Sequence, residues 1–385
     1  MTPQLRADDE HWMRQALQLA ESVMYITSPN PRVACLIVRD GKLLASGATQ
    51  AVGGPHAEVM ALRQATERGC DVVGSTVYVT LEPCSHYGRT PPCVDALIAA
   101  RPARVVIAMG DPNPLVGGQG IAKLREAGIG VATMVCTEEA LAINPGFVSR
   151  MTRRRPWVWL KLAASLDGRI ALSNGESQWI TGPAARADGH HWRARSCVVL
   201  TGSGTVKADD PRLDVRHVQT SRPPMKAIVD TRFEVDEGAK ILDGSRVLLF
   251  TCRPSADKVR RLERRNVQVV ELPAVGGRVD LAAMMRWMGE HDINEVHVEA
   301  GSRLSGALLQ AECVDELLVY MAPVLLGEGL GMVRMASLQS LAQAQRFQFT
   351  DTASIEPDLR IRARHAERWK ALLESVSSKC RDGME

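Results

Sequence analysis

Apolar residues recur at helical spacing over residues 8–24, where Trp12, Ala16, Leu19, Ala20 and Val23 share one face. The pattern then changes period. Residues 33–38 form an apolar run, and 42–46 follow after Asp40-Gly41, a dipeptide that favours a tight hairpin turn. Gly53-Gly54-Pro55 breaks the chain, and Val59, Met60 and Leu62 then read as the start of a helix. A strand at 76–80, a helix at 92–100, a strand at 104–109 and a helix at 121–127, stopped by Gly128, continue the alternation to about Asn144. Strands that alternate with helices predict an α/β layered domain.

The alternation starts afresh in the second half. Strands are expected at 157–163, 197–200, 226–229, 246–250, 267–270, 295–298 and 317–321, with helices at 183–195, 255–265, 281–289 and 302–310. This is a second α/β domain with its own core. Between the halves, Arg150-Met151-Thr152-Arg153-Arg154-Arg155-Pro156 reads as a solvated linker. The stretch 366–385 is charged and reads as a tail whose last part is expected to be frayed. The expected organisation is a first domain at 1–148, a linker at 149–156, a second domain at 157–365 and the tail.

Composition narrows the class. With 385 residues the chain is too long for one ordinary core. An apolar content of 45% and a charged content of 24% belong to a soluble globular protein. The net charge of +3 argues against a dedicated nucleic-acid binder. No apolar run reaches the roughly 18–20 residues that span a bilayer, and residues 1–10 lack a signal-peptide core. Nine cysteines at irregular spacing suit a reducing cytoplasm better than a disulfide framework. A cytoplasmic homo-oligomer acting on small molecules is expected, with neither nucleic acid nor membrane as partner.

The chemistry concentrates at His56-Ala57-Glu58, Pro83-Cys84 and Cys93. Zinc prefers nitrogen and sulfur ligands, and a catalytic site keeps three protein ligands and one open position. His56, Cys84 and Cys93 supply three. Glu58, left over, is placed to take a proton from a metal-bound water and return it to the ring nitrogen and the leaving ammonia. A structural site would use a fourth protein ligand, so the count favours a hydrolytic deaminase. The general signature has Cys-x-x-Cys, whereas here residues 85–92 separate the cysteines.

Two glycine-bearing turns follow strands in the second half: 201–205 and 299–307. Such turns let backbone N–H groups approach a phosphate at a helix N-terminus. Neither is the dinucleotide fingerprint, so they suggest a nucleotide or sugar-phosphate pocket without choosing a ligand.

Taken together, Pro29-Asn30-Pro31, His56-Ala57-Glu58, Glu82-Pro83-Cys84-Ser85-His86-Tyr87-Gly88-Arg89-Thr90-Pro91-Pro92-Cys93 and Asp111-Pro112-Asn113-Pro114 resemble the deaminase half of the bifunctional RibD family of riboflavin biosynthesis. Lys161-Leu162-Ala163-Ala164-Ser165-Leu166-Asp167-Gly168, Gly175-Glu176-Ser177-Gln178-Trp179-Ile180-Thr181, Ala208-Asp209-Asp210-Pro211 and Val298-Glu299-Ala300-Gly301 resemble its reductase half. The resemblance implies a cytidine-deaminase-like three-layer α/β fold followed by a dihydrofolate-reductase-like α/β fold. It implies Zn2+ and NADPH as cofactors and phosphorylated pyrimidines as substrates. His56, Cys84 and Cys93 would bind zinc, Glu58 would move protons, and Asn30, His86 and Arg89 would line the first pocket, Arg89 at the phosphate. Lys161, Ser177, Arg193, Leu213, Arg216 and Glu299 would contact the second substrate. Ala163, Trp179, Thr205, Asp209, Thr231 and the turn Gly301, Ser302, Arg303, Leu304, Ser305, Gly306 and Ala307 would hold NADPH.

Two other readings stand beside this one. A nucleobase or tRNA-editing deaminase would want a basic, aromatic groove near His56, and only Tyr78 and Tyr87 are at hand. A non-enzymatic second domain would bind NADPH without turnover.

Overall fold

The computed structural model of the protein describes residues 5–86, 92–113 and 116–382. The chain divides into two compact units. One holds the residues up to Arg153 and those from Lys370 onward; the other is Arg154–Trp369.

The first unit is built from α1 (Asp9–Ser22), β1 (Ala34–Arg39), β2 (Lys42–Ala48), α2 (Ala57–Glu67), β3 (Thr76–Val79), α3 (Cys93–Ala100), β4 (Arg104–Ile107), α4 (Gln119–Glu126), β5 (Gly130–Thr133), α5 (Thr137–Ile143) and α6 (Pro145–Arg153). Its five-stranded sheet has the order β2-β1-β3-β4-β5. β1 runs antiparallel to β2 and β3, while β3, β4 and β5 are parallel. Asp40 and Gly41 have φ of 52° and 69°, the left-handed pair that a two-residue hairpin requires. β1 is buried along nearly its whole length, which explains its unbroken apolar run.

Two expectations change here. α1 buries Asp9, Met13, Ala16, Leu17 and Ala20, a stripe rotated from the expected face. The rotation turns Asp9 inward to meet Arg104. The expected linker is largely helix, since α6 continues through the basic run to Arg153 with Phe147 and Val148 buried.

The second unit contains β6 (Trp157–Ser165), β7 (Arg169–Leu172), α7 (Pro183–Arg195), β8 (Val198–Gly202), α8 (Ser203–Asp209), β9 (Met225–Val229), β10 (Val247–Thr251), α9 (Ala256–Glu263), β11 (Val267–Glu271), β12 (Ala274–Val275), β13 (Arg278–Val279), α10 (Leu281–Glu290), β14 (Glu295–Glu299), α11 (Ser302–Gln310), β15 (Glu316–Ala322), β16 (Gly329–Gly331), β17 (Gln348–Ile355) and β18 (Asp358–Arg364). Nine of these strands form one sheet, β11-β10-β9-β8-β14-β6-β15-β18-β17. The seven from β11 to β15 are parallel, and β18 and β17 close the edge antiparallel. Both faces are covered. Val158, Leu160, Val198, Leu200, Val296 and Val298 pack with Met284, Met288 and Leu308 on one side, and Val199, Ile228, Leu249 and Leu262 pack on the other. Each such side chain contributes roughly 1.5–3 kcal/mol by leaving water.

The expected tail is an ordered helix, α12 (Ala366–Asp382). Its first turn belongs to the second unit, where Trp369 packs edge-on against Trp157 at 5.8 Å. From Lys370 onward it belongs to the first, and Val376 and Cys380 are fully buried.

Candidate active sites

In the first unit α2 carries the first half of the site. Its N-cap is His56, and Glu58 lies in its first turn. The helix can approach β2 this closely because residue 47 is glycine: a Cβ there would lie 2.4 Å from the Ala57 carbonyl oxygen. The loop after β3 delivers Cys84, and the start of α3 delivers Cys93. His56 Nδ1 stands 3.3 Å from Cys93 Sγ and 3.6 Å from Cys84 Sγ. The three donor atoms lie within 4.8 Å of one another. Ligands at zinc's usual N and S bond lengths, placed tetrahedrally, would have N···S separations of about 3.6 Å. The triad therefore fits a zinc ion.

The electrostatics agree. The hydrogen bond from Cys93, opposed by burial and reinforced by His56, holds Cys84 toward the thiolate, and the same bond, together with burial, pushes the Cys93 thiol up. Two thiolates this close repel, and a divalent cation relieves that repulsion. Glu58 is 4% exposed. Burial first, then the nearby Cys84 charge, lifts its carboxyl to about 7, against the pull of its own backbone N–H and of His56. A group that both accepts and donates a proton works best near that value.

Glu82, which the sequence motif contained without a role, turns out to anchor the loop that carries Cys84. Only 2% exposed, its carboxylate accepts four backbone N–H groups: Asp111 (3.1 Å), Gly118 (3.0 Å), Gly120 (2.9 Å) and Ile121 (3.3 Å). Lys123 on α4 adds a bond to the Ser85 carbonyl at 3.0 Å. Asn30 is half-buried in the loop before β1, its N–H bonded to Thr27 O at 3.0 Å, and His86 is exposed. Arg89 lies outside the described residues.

In the second unit the parallel register sets Glu299, at the end of β14, beside Lys161 on β6. Arg193, in the last turn of α7, grips Glu299 with two prongs: Nε to Oε1, and Nη2 to Oε2 at 3.0 Å. Its remaining arm binds the Asp214 carbonyl at 2.9 Å. Arg193 is thus occupied, and it fixes the Glu299 carboxylate. Lys161 Nζ is 3.9 Å from Glu299 Oε2, and His297 Nε2 is 3.4 Å from Oε1. His297, fully buried beneath the cluster, carried no recognisable signal in the sequence. Burial would raise the Glu299 carboxyl, but Arg193 outweighs it and holds the group well below the usual carboxylate range. Burial lowers the Lys161 ammonium. His190 accepts the Arg216 backbone N–H at 2.9 Å, and burial, with Arg193 and Arg216 nearby, drops it to about 4. Leu213 is buried just before this pair, and Ser177 is half-buried.

The expected cofactor residues follow neighbouring parallel strands: Thr205 after β8, Thr231 after β9 and Gly301 after β14. Ligands of parallel sheets bind at these carboxyl ends. Thr205 Oγ1 accepts the Gly301 N–H at 3.2 Å, tying two of the turns together. The turn expected at 201–205 is in fact the end of β8 and the first residues of α8, and Asp209 is exposed at the end of that helix. Within Gly301–Ala307, Gly301 and Arg303 are exposed and Ser302, Leu304 and Ala307 are half-buried. Ser305 and Gly306 are buried, and a Cβ at Gly306 would strike the Arg334 carbonyl at 2.0 Å, so these two pack the turn. Trp179 is 69% exposed, with the Arg186 guanidinium 4.4 Å over its ring. Ala163 lies on β6, half-buried.

Known proteins match both units. A profile described as "Cytidine and deoxycytidylate deaminase zinc-binding region" matches residues 6–109, and one described as "RibD C-terminal domain" matches 156–361. Fold and sites therefore define a two-domain chain that joins a zinc-dependent deaminase to an NADPH-dependent reductase. The riboflavin biosynthesis protein RibD of Escherichia coli is 45% identical over 91% of this chain and 98% of its own length. That of Haemophilus influenzae is 40% identical over 91% and 95%. The solved structure of Acinetobacter baumannii RibD superposes with a TM-score of 0.85 at 42% identity, covering 93% of this chain and 98% of that one. A Thermotoga maritima structure, described as a diaminohydroxyphosphoribosylaminopyrimidine deaminase/5-amino-6-(5-phosphoribosylamino)uracil reductase, gives 0.85 at 32% over the same shares. The chain belongs to the RibD family, the bifunctional deaminase–reductases of riboflavin biosynthesis. Among the described residues, no helix is long and apolar enough to cross a membrane.

Proposed function

We propose that the first site deaminates 2,5-diamino-6-(5-phosphoribosylamino)pyrimidin-4(3H)-one and that the second reduces the ribosyl chain of the resulting 5-amino-6-(5-phosphoribosylamino)uracil to ribityl. The observation that carries this is the triad of His56, Cys84 and Cys93 closed to within 4.8 Å, with the buried carboxyl of Glu58 in the first turn of the helix that His56 caps.

His56, Cys84 and Cys93 would hold zinc, which when bound would make a water acid enough to be hydroxide near neutral pH. Glu58 would take a proton from the attacking water and pass protons to the ring nitrogen and to the departing ammonia of the amino-bearing ring carbon. Asn30 and His86 border the pyrimidine, and Arg89 takes the phosphate, which a guanidinium binds with two prongs.

In the second site Ala163, Trp179, Thr205, Asp209, Thr231 and the accessible part of Gly301–Ala307 would hold NADPH, which would supply the hydride for the opened ribose carbon. Glu299, kept ionised and fixed by Arg193, accepts hydroxyl hydrogen bonds from the substrate chain. Lys161 brings positive charge to the same end of the sheet, and Ser177, Leu213 and Arg216 complete the substrate wall. The protein's contribution is orientation and charge, the chemistry being the cofactor's.

Purified protein given the diamino substrate and NADPH should release ammonia and then oxidise NADPH. Release of no ammonia, or ammonia without any NADPH oxidation, overturns the reading. We also read the protein as a cytoplasmic homo-oligomer free of nucleic acid, which light scattering and a tRNA filter-binding assay test.

A further inference from the structure

Neither matched profile covers two segments that meet in the first unit: the loop between β4 and α4 from Gly110 onward, and α12. The contact is close. A Cβ on Gly110 would lie 2.8 Å from Lys379 Cβ, 2.9 Å from the Val376 carbonyl oxygen and 3.1 Å from the Cys380 nitrogen. A Cβ on Gly117 would lie 2.7 Å from Lys379 Cδ. Backbone thus rests directly on helix at both ends of the loop. Val376 and Cys380 are fully buried against this unit, so the helix is docked through an apolar stripe.

The residues next to those two glycines are the ones Glu82 grips. Its Oε2 accepts the N–H of Asp111 at 3.1 Å and of Gly118 at 3.0 Å, while Oε1 accepts those of Gly120 and Ile121 at the start of α4. Glu82 also donates its own N–H to the Met109 carbonyl at 3.0 Å. Two residues on is Cys84, whose Sγ accepts the Cys93 N–H at 3.3 Å and whose carbonyl accepts the Val94 N–H at 3.2 Å. An unbroken path of packed backbone and hydrogen bonds runs from α12 through the loop to Glu82 and on to Cys84.

We propose that α12 is a positioning element of the deaminase: it braces the β4–α4 loop, and Glu82 transmits that brace to the zinc ligand Cys84. The segment after the reductase thereby serves the other activity of the chain. Without α12 the loop loses its backing at Gly110 and Gly117, the four N–H groups around Glu82 lose their fixed arrangement, and Cys84 is held less well for the metal. The inference rests on the deaminase reading of the first site, but its main readout, zinc affinity, needs no substrate.

The test compares the full chain with one ending at Ala371, which keeps Trp369, each with and without Gly110→Ala. Zinc affinity is measured by competition with a chromogenic chelator, and thiolate coordination by the charge-transfer band of the cobalt-substituted protein. Loss of an outer-shell support typically costs roughly 10- to 100-fold in metal affinity or activity. The shortened chain should show that loss in zinc affinity and in kcat for ammonia release, with an altered cobalt band. Its NADPH oxidation on the deaminated intermediate should stay within about twofold, since no reductase contact is removed. Gly110→Ala should weaken zinc binding in the full chain and have little effect in the shortened one, where the helix it strikes is gone. The proposal is overturned if zinc affinity and ammonia release survive the shortening, if both activities fall together, or if Gly110→Ala acts equally in both backgrounds. If the shortened chain does not fold, full-length Val376→Ala and Glu82→Gln decide. On one path their effects on zinc affinity combine to less than their sum; simple additivity overturns the proposal. A full chain that releases no ammonia yet shows these zinc effects would sink the deaminase reading and leave the brace standing.

Discussion

Asp9 and Arg104 face one another two-pronged inside the first unit, Nη1 to Oδ1 at 2.6 Å and Nη2 to Oδ2 at 2.7 Å, with their side chains 1% and 4% exposed. Tyr78 donates to the same carboxylate at 3.1 Å, and the Arg6 N–H at 2.8 Å. The pair ties the start of α1 to the start of β4. Burial alone would raise the Asp9 carboxyl, but the Arg104, Arg6 and Tyr78 bonds together hold it below its ordinary value. A carboxylate held low stabilises the fold above its unfolded pKa of about 3.9, and that contribution is lost as pH falls further through the folded value. Asp9→Asn should therefore cost about 3–5 kcal/mol at neutral pH, because it removes the carboxylate charge that faces the buried Arg104 guanidinium. The gap between wild type and variant in urea melts should narrow steadily below about pH 4. A gap that holds constant down to acid pH would show that the charge of Asp9 is immaterial.

The second unit makes a prediction of opposite locality. Glu299→Gln keeps the shape of the side chain but leaves Arg193 and Lys161 facing a neutral amide. Breaking a buried charged pair from one side costs about 2–4 kcal/mol, or roughly 30- to 1,000-fold in kcat/KM for NADPH oxidation. Ammonia release and zinc content should not change. Steady-state kinetics on the deaminated intermediate, beside metal analysis, checks both halves. A reductase that tolerates the change would remove Glu299 from the substrate wall.

These two pairs also show what can be read along a chain and what cannot. His56 and Glu58 are two residues apart, and Cys84 and Cys93 bracket one short segment, so their chemistry is local and legible. The alternation of strand and helix is equally local, and almost every apolar strand of both sheets is where its run of Val, Ile and Leu predicts. Asp9 and Arg104 are 95 residues apart, and nothing near either names the other. α1 consequently buries Asp9, Met13 and Leu17 beside the expected Ala16, Ala20 and, at its C-cap, Val23. The same holds for Glu82, whose partners lie 29 to 39 residues away in backbone rather than side chain. β5, β17 and β18 have no counterpart among the expected strands; β17 is an exposed edge strand with little apolar alternation. α12 is different, since Trp369, Leu372, Val376 and Cys380 recur at helical spacing and are all buried. That stripe was present in the sequence, hidden by the charges between its members.

The independence of the two activities can be probed by metal removal. Dialysis against dipicolinate should abolish ammonia release and leave NADPH oxidation on the deaminated intermediate within about twofold, because the cation serves one site only. Zinc should restore the first activity and magnesium should not, given a donor set of one imidazole and two thiolates. Parallel loss of both activities on chelation would mean that the metal also supports the second unit.

Glu58→Gln separates proton transfer from metal binding. The amide occupies the same buried volume beside His56 but can neither take a proton from water nor return it. A positioned acid–base group contributes typically about 10²–10⁴-fold, so ammonia release should fall by that order with KM nearly unchanged. Zinc affinity should be retained, because the ligands are His56, Cys84 and Cys93. The wild-type profile adds a second check. Glu58, lifted toward about 7 by burial, must be ionised to act as base, so kcat/KM should fall on the acid side as it protonates. A bound dication lowers that point, which places the acid limb at or below neutrality. In Glu58→Gln the residual rate should lose this limb. A variant that keeps both the wild-type rate and its acid limb would assign the proton shuttle to another group.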